Sequence, residues 1–425
     1  MRKLLLTSTV ILGASLGVAH ASDFTSTAGN GPSTLTPGQM VVHITLRSNF
    51  YFAASGSSAT SYKGNKQQPY ATLGYNRLYL GVDGMAANGL KYGTSMEIRE
   101  NFETTGAGSG ASGDSSTNTL FFRRAYVYAG TDQAGIFRFG QTDGPTTLLL
   151  LGTFEGFNDG GWNGDAFDGV PSAVQPTWAW PDVGNVYAST KIEYLSPNLA
   201  GFDFGISFEP NDTSEQDGSC YQSSAGFTGC ATQSTSTSTT DQARRRNTIE
   251  VAGRYRGNFG GFGVAAEAGY IGSGVINNAT GPNEYVGLSQ GNFGLELSYA
   301  GVTVGGNVIG GDGNAGWALQ PKGGAHEIAW IAGAQYTTGP IIVGASYFNV
   351  QSQGAAGSLL DKSQRSETGI AAGGTYSVAP GLVVFLSYLY GTRHQGDYDF
   401  LASAVGPDNN DVKSQIISLG TQFKW

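Results

Sequence analysis

The chain of 425 residues has 40% hydrophobic, 12% aromatic and only 13% charged residues, with 66 glycines and a net charge of −9. That is roughly half the charge of an average soluble domain, yet the chain is too apolar for disorder, and its glycines lack the three-residue period of collagen. The acidic balance argues against nucleic acid, and beyond the first residues no run approaches the ~18 apolar positions of a membrane helix. What remains is a large extracytoplasmic β protein, either a soluble sandwich or a membrane barrel.

At the start, Arg2 and Lys3 precede an apolar run from Leu4 to Val18 and then Ala19-His20-Ala21. This is the layout of a signal peptide over 1–21, with a linker expected over 22–39 and the folded domain over 40–425. From residue 40 onward short segments alternate with period two. Val42, Ile44, Leu46, Phe50 and Phe52 share one face, and His43, Thr45, Arg47 and Asn49 the other. Leu78 and Leu80 alternate with Arg77 and Tyr79, Met96 and Ile98 with Glu97 and Arg99, and Leu419, Thr421, Phe423 and Trp425 with Ser418, Gly420, Gln422 and Lys424.

Sixteen such segments follow one another, at 40–54, 72–83, 90–103, 119–129, 135–141, 186–195, 201–209, 244–256, 261–271, 286–299, 301–310, 326–337, 340–351, 366–378, 381–392 and 413–425. Most have the ~9–11 residues of a tilted barrel strand. Connections alternate between short ones rich in Gly, Pro, Asn or Asp and long polar ones, which predicts tight hairpins at one end and long loops at the other. An even strand count with that asymmetry predicts an all-β, 16-stranded antiparallel transmembrane β-barrel. Aromatic residues near strand ends, among them Tyr255, Phe262, Tyr299 and Tyr376, fit interfacial girdles.

Two blocks then resemble the general porins of Gram-negative bacteria. Phe121-Phe122-Arg123-Arg124-Ala125-Tyr126-Val127-Tyr128 followed by Gly135-Ile136-Phe137-Arg138-Phe139-Gly140-Gln141 looks like the family's hairpin of strands four and five. Arg77-Leu78-Tyr79 with Asp83-Gly84, then Asn88-Gly89-Leu90-Lys91-Tyr92-Gly93 and Glu97-Ile98-Arg99, is similar to alphaproteobacterial porins. The terminal Trp425, with Phe423 two positions before it, resembles the aromatic signal read by the outer-membrane assembly machinery, although enteric members end in Phe. The resemblance implies a homotrimer of water-filled barrels in the outer membrane, in contact with its lipids and lipopolysaccharide, each narrowed by a long third loop folded into the lumen.

The longest connection, 142–185, fits that loop. It holds Asp143, Glu155, Asp159, Asp165, Asp168 and Asp182 and no Lys or Arg. Arg47, Arg77, Arg99, Arg123 and Arg138 come one from each of the first five strands; because Arg123 and Arg124 are adjacent, only one is expected to face inward, and the family pattern favours Arg123. A transverse field is expected, with loop carboxylates facing wall arginines across the constriction and favouring cations. The alternative is that the arginines pair with Glu97 and Glu100 and stiffen the wall. The apolar Leu148–Leu151 run, Phe154 and Phe157 are expected to anchor the loop, and Trp178 and Trp180 to pack at its return.

Other signals are weaker. Cys220 and Cys230 predict a local disulfide, and no metal or cofactor is expected. Two G-x-G-x-x-G matches open no helix. Arg244-Arg245-Arg246 suits either lipopolysaccharide phosphates or a solvated or lumen-facing cluster. His43, His326 and His394 have no spaced nucleophile or acid, so an enzyme is disfavoured, and the small inward side chains disfavour a plugged adhesin. The function expected is passive diffusion of small hydrophilic solutes, with a substrate-specific sugar or organic-ion channel as the alternative.

Overall fold

The computed structural model of the chain describes residues 35–62, 64–101, 120–182, 188–211, 221–223, 226–228, 243–277, 284–314, 316–355 and 364–425. Sixteen antiparallel strands close into one barrel. They are β1 (Met40–Ser57), β2 (Tyr70–Met85), β3 (Lys91–Asn101), β4 (Phe121–Thr131), β5 (Gly135–Asp143), β6 (Ala188–Leu195), β7 (Phe202–Asn211) and β8 (Arg244–Phe259). The second half comprises β9 (Phe262–Ile276), β10 (Ser289–Tyr299), β11 (Val302–Asp312), β12 (Glu327–Thr338), β13 (Ile341–Ser352), β14 (Arg365–Ala379), β15 (Leu382–His394) and β16 (Asp411–Lys424). Each alternating segment of the sequence becomes one strand, with its ends moved by a few residues.

Every strand pairs with its sequence neighbours, and β1 also pairs with β16. Leu46 and Trp425 exchange both backbone hydrogen bonds, at 2.9 and 3.2 Å, and complete the seam. Closure matters because an open edge in hydrocarbon leaves its N–H and C=O groups unsatisfied. The period-two pattern sorts the faces. Phe50 and Phe52 of β1 stand exposed on the outside while Asn49, Tyr51 and Ala53 are buried inside.

Tight turns join strands at one end. At Ala200-Gly201 φ is 53° and 97°, and at Ala300-Gly301 48° and 84°. Two successive positive φ values give the turn whose twist matches that of the flanking strands. Aromatics cluster at the same end: exposed Phe202 lies 4.6 Å from half-buried Tyr255, and exposed Phe262 stacks on exposed Tyr299 at 4.3 Å. Rings of this kind sit between headgroups and acyl chains. At the opposite end lie the long loops, including small hairpins such as Tyr398–Asp399 with Ala404–Val405. Cys220, Cys230 and the expected signal peptide fall outside the described residues.

The apolar core lies inside the barrel. Phe154, Phe157, Trp162, Val174, Trp178 and Trp180 of the segment after β5 pack against inward residues such as Phe348, Leu389 and Ile416. The lumen therefore holds a second layer, and the loop supplies it.

Candidate functional site

The loop leaves β5 through a short helical turn, Pro145–Leu148. It then follows the inner wall. The amide of Asn307 on β11 donates to the Leu151 carbonyl (2.9 Å), Thr375 on β14 to that of Phe157 (3.1 Å), and Ser414 on β16 to that of Val174 (2.9 Å). Leu149, Leu151, Phe154 and Phe157 are buried, and Trp178 and Trp180 lie 4.6 Å apart against Phe348. Anchoring is thus the role of the apolar run, and packing that of the tryptophan pair. Wall glycines make the room: a Cβ on Gly333 would stand 2.7 Å from the Phe154 ring, and one on Gly344 2.6 Å from Phe157.

The tip of the loop is Asp159-Gly160-Gly161, with φ of 62°, 101° and 59°. Left-handed backbone of this kind suits Gly and is tolerated by Asp. It turns the Asp159 carboxylate onto β1 and β16. Arg47 donates to it at 2.5 Å, Asn49 at 2.6 Å and Gln422 at 2.9 Å, and the Tyr51 hydroxyl also donates. Six residues on, Asp165 accepts from Arg77 at 3.1 Å, and Asp168 lies half-buried on the same turn.

On the wall, register aligns positive charge. Lys424 pairs with Arg47, Arg47 with Arg77 and Arg77 with Arg99 across four adjacent strands. Like charges directly opposite destabilise a sheet, so this row needs counter-charge and packing. The Tyr75 ring supplies packing, with the Arg77 guanidinium 4.1 Å and that of Arg47 5.4 Å from its centre. Glu97 supplies charge, accepting from Arg99 at 2.6 Å and from Arg123 at 2.7 Å.

Arg124 departs from expectation. Both it and Arg123 reach Glu97 and Asp143. The register explains this: Glu97 pairs with Arg124 but Ile98 with Phe122, which leaves Arg123 as the extra residue of a bulge. A bulge suspends strict alternation, so two successive arginines face the lumen while Phe121 and Phe122 are exposed.

The expected site residues therefore divide. Arg47, Arg77, Arg99 and Arg123 come together with Asp159 and Asp165. Arg138 stands apart with Glu193 at 3.6 Å, and Glu155 accepts from Asn163 within the loop. Wall and loop charges meet in contact, not across a gap, and Glu97 takes the pairing role of the alternative reading. Lys424, Arg124, Tyr75 and Gln422 were not singled out; parity already placed Lys424 and Gln422 on the inner face of the last strand. His43 lies 3.4 Å from Asp83, and His326 and His394 are exposed beside Asp312 and Asp411.

The model of the Gram-negative porin family matches residues 7–399. The chain is a Gram-negative porin. Solved porins share its fold at low identity. The anion-selective porin of Comamonas acidovorans is 14% identical, with 91% of this chain and 100% of that one covered at a TM-score of 0.56. OmpF of Salmonella typhi, in complex with daunomycin, is 15% identical over 90% and 97% at 0.54. The outer-membrane channel DcaP of Acinetobacter baumannii is 12% identical over 96% and 100% at 0.52. No curated protein sequence matches significantly. The porin is an integral β-barrel of the outer membrane and forms a channel for passive diffusion of small solutes.

Proposed function

We propose that the loop over 142–182 and the arginine-bearing wall bound the constriction of this channel, and that the constriction favours anions. The observation that carries this is the cross-strand row Lys424, Arg47, Arg77 and Arg99 beside Arg123 and Arg124. Asp159, Asp165, Asp168, Glu97 and Asp143 are five acids against these six cations. Exposure adds to the imbalance at three of the acids: the side chains of Arg47, Arg99 and Arg124 retain 23%, 16% and 14%, against 4%, 1% and 5% for Asp159, Glu97 and Asp143, whereas Asp165 at 24% is more open than its partner Arg77 at 14%. Charge facing a low-dielectric passage sets which ion enters.

Single-channel recording in a potassium chloride gradient tests the reading. The expected reversal potential has the sign of chloride preference; a cation-selective potential would overturn it. The scattered histidines support a channel and not an enzyme.

The porin also presents a face suited to a homotrimer. Strand parity turns Ser48 and Asn76 outward on β1 and β2, where a 2.6 Å hydrogen bond joins them, Ser48 already buried among its neighbours within the single chain and Asn76 half-buried. Polar groups midway along a lipid-facing wall are costly, and a neighbouring subunit would cover them. The exposure of the terminal Trp425 supports its reading as a signal for the assembly machinery.

A further inference from the structure

The Asp159 carboxylate is saturated with donors, and every one of them belongs to the wall. Arg47 of β1 and Gln422 of β16 donate to Oδ1, at 2.5 and 2.9 Å. Asn49 donates to Oδ2 at 2.6 Å, and the Tyr51 hydroxyl donates to the same oxygen. Two donors on each oxygen, one of them a guanidinium, suit a planar anion with two oxygens. A single-atom ion fills only one half of such an arrangement.

Contacts within the wall hold these donors in place. The Tyr51 ring packs edge-on against Phe385 of β15 at 5.0 Å, and the Arg47 guanidinium lies 5.4 Å from the centre of the Tyr75 ring. The Asn49 amide also donates to the hydroxyls of Tyr51 and Tyr75, at 2.8 and 2.6 Å. Asn49, Tyr51 and Tyr75 are buried, while Arg47 stays partly open to the lumen. Donors fixed before a ligand arrives lower the cost of binding it. The loop, for its part, has other fastenings on either side of Asp159. Asn158 donates to Ser387 of β15 at 3.0 Å, and the Trp162 indole to the Ile370 carbonyl of β14 at 3.0 Å.

We propose that Arg47, Asn49, Tyr51 and Gln422 form a receptor for the carboxylate of a permeating organic acid, and that Asp159 is a tethered ligand that fills it between passages. An arriving carboxylate displaces the Asp159 side chain, while Asn158 and Trp162 keep the loop seated. Asp159 returns when the solute leaves. The tether sets the terms of the exchange, since a ligand on a short linker competes at an effective concentration in the millimolar range. Carboxylate current therefore saturates where chloride current does not.

The receptor rests on the constriction reading only for its place in the ion path, so a binding readout and an electrical one keep the two claims apart. Asp159→Gly empties the receptor and suits the left-handed backbone at that position. Asp159→Asn, which sets an NH2 group against the wall donors, is the second variant, and unheated electrophoretic mobility checks that both fold. Thermal denaturation of the purified porin is followed in potassium acetate and in potassium chloride of equal concentration. The wild type, its receptor filled, measures the general effect of the salt. Both variants are expected to gain more from acetate than the wild type does, because a ligand that binds only the folded state stabilises it. Adding Tyr51→Phe, which removes one donor, is expected to reduce that gain. A gain no larger than the wild type's in both variants overturns the receptor, as does a gain that Tyr51→Phe leaves intact. In single-channel recording, acetate added to potassium chloride is expected to lower the variants' current saturably, with half-reduction at roughly tenfold less acetate than in the wild type. Acetate binding with no effect on current would sink the constriction reading and leave the receptor standing. No acetate effect beside a chloride-selective reversal potential would do the reverse.

Discussion

Arg47 and Asp159, 112 residues apart, meet at 2.5 Å and join the wall at β1 to the tip of the loop. The carboxylate is nearly sealed and the guanidinium partly open. Removing one partner of a buried pair costs about 3–5 kcal/mol because the other is left uncompensated, and partial exposure of Arg47 moves this site toward the lower figure. Asp159→Ala is expected to leave the barrel heat-modifiable on gels, to make the tip a site of proteolytic nicking, and to shift the reversal potential further toward chloride. An unchanged potential would show that Asp159 does not face the ion path.

The bulge at Arg123 makes a separate prediction. Because both Arg123 and Arg124 reach Glu97 and Asp143, Arg124→Gln should weaken chloride preference as Arg123→Gln does. With strict alternation only one of the two would matter. The effect should shrink as salt rises, since the screening length falls from about 10 Å at 0.1 M to about 3 Å at 1 M. Reversal potentials at two ionic strengths measure it.

The glycine notches are open to a double-mutant cycle. Gly344→Val should overpack the Phe157 socket at a cost of about 1–3 kcal/mol. Phe157→Ala should empty it at about 3–5 kcal/mol. If the two positions share one contact, the double variant loses less than the sum. Denaturation of the porin in detergent provides the values, with protease sensitivity of the loop as the local readout.

The outward polar pair is tested by replacing Ser48 and Asn76 together with leucine. On a lipid-facing surface the change should be neutral or favourable. In a subunit contact it should weaken the oligomer by about 1–3 kcal/mol, the cost of losing hydrogen bonds in a buried setting. The temperature at which the unheated oligomer band gives way to monomer should then fall, while the monomer keeps its barrel.

The strands were legible because each carries its own signal: apolar and polar positions alternate wherever one face meets lipid and the other the lumen. Val42, Ile44, Phe50 and Phe52 needed no partner to be recognised. The anchoring residues of the loop were legible for a similar reason, since Phe154 and Phe157 in a polar stretch need an apolar seat. What lay beyond the sequence was relational. Nothing local in Phe121-Phe122-Arg123-Arg124 marks a bulge, because a bulge is a property of register with β3. Nor does Lys424 announce itself until β16 is laid beside β1, which brings it level with Arg47. The expected field across a gap likewise assumed a distance, and only the path of the loop sets that distance.

The seam between Leu46 and Trp425 has a bearing on how the porin is made. The strand that begins the barrel and the strand that ends it are the two farthest apart in synthesis, yet they are hydrogen-bonded neighbours. Every other strand pair in the wall joins sequence neighbours; this one alone joins the first strand to the final one. Until that pair forms the nascent sheet has two bare edges, the state most prone to mispairing with another chain. Closure therefore requires both ends of the folded domain at once, and without the final strand the edges of β1 and β15 would keep their backbone groups unpaired in hydrocarbon.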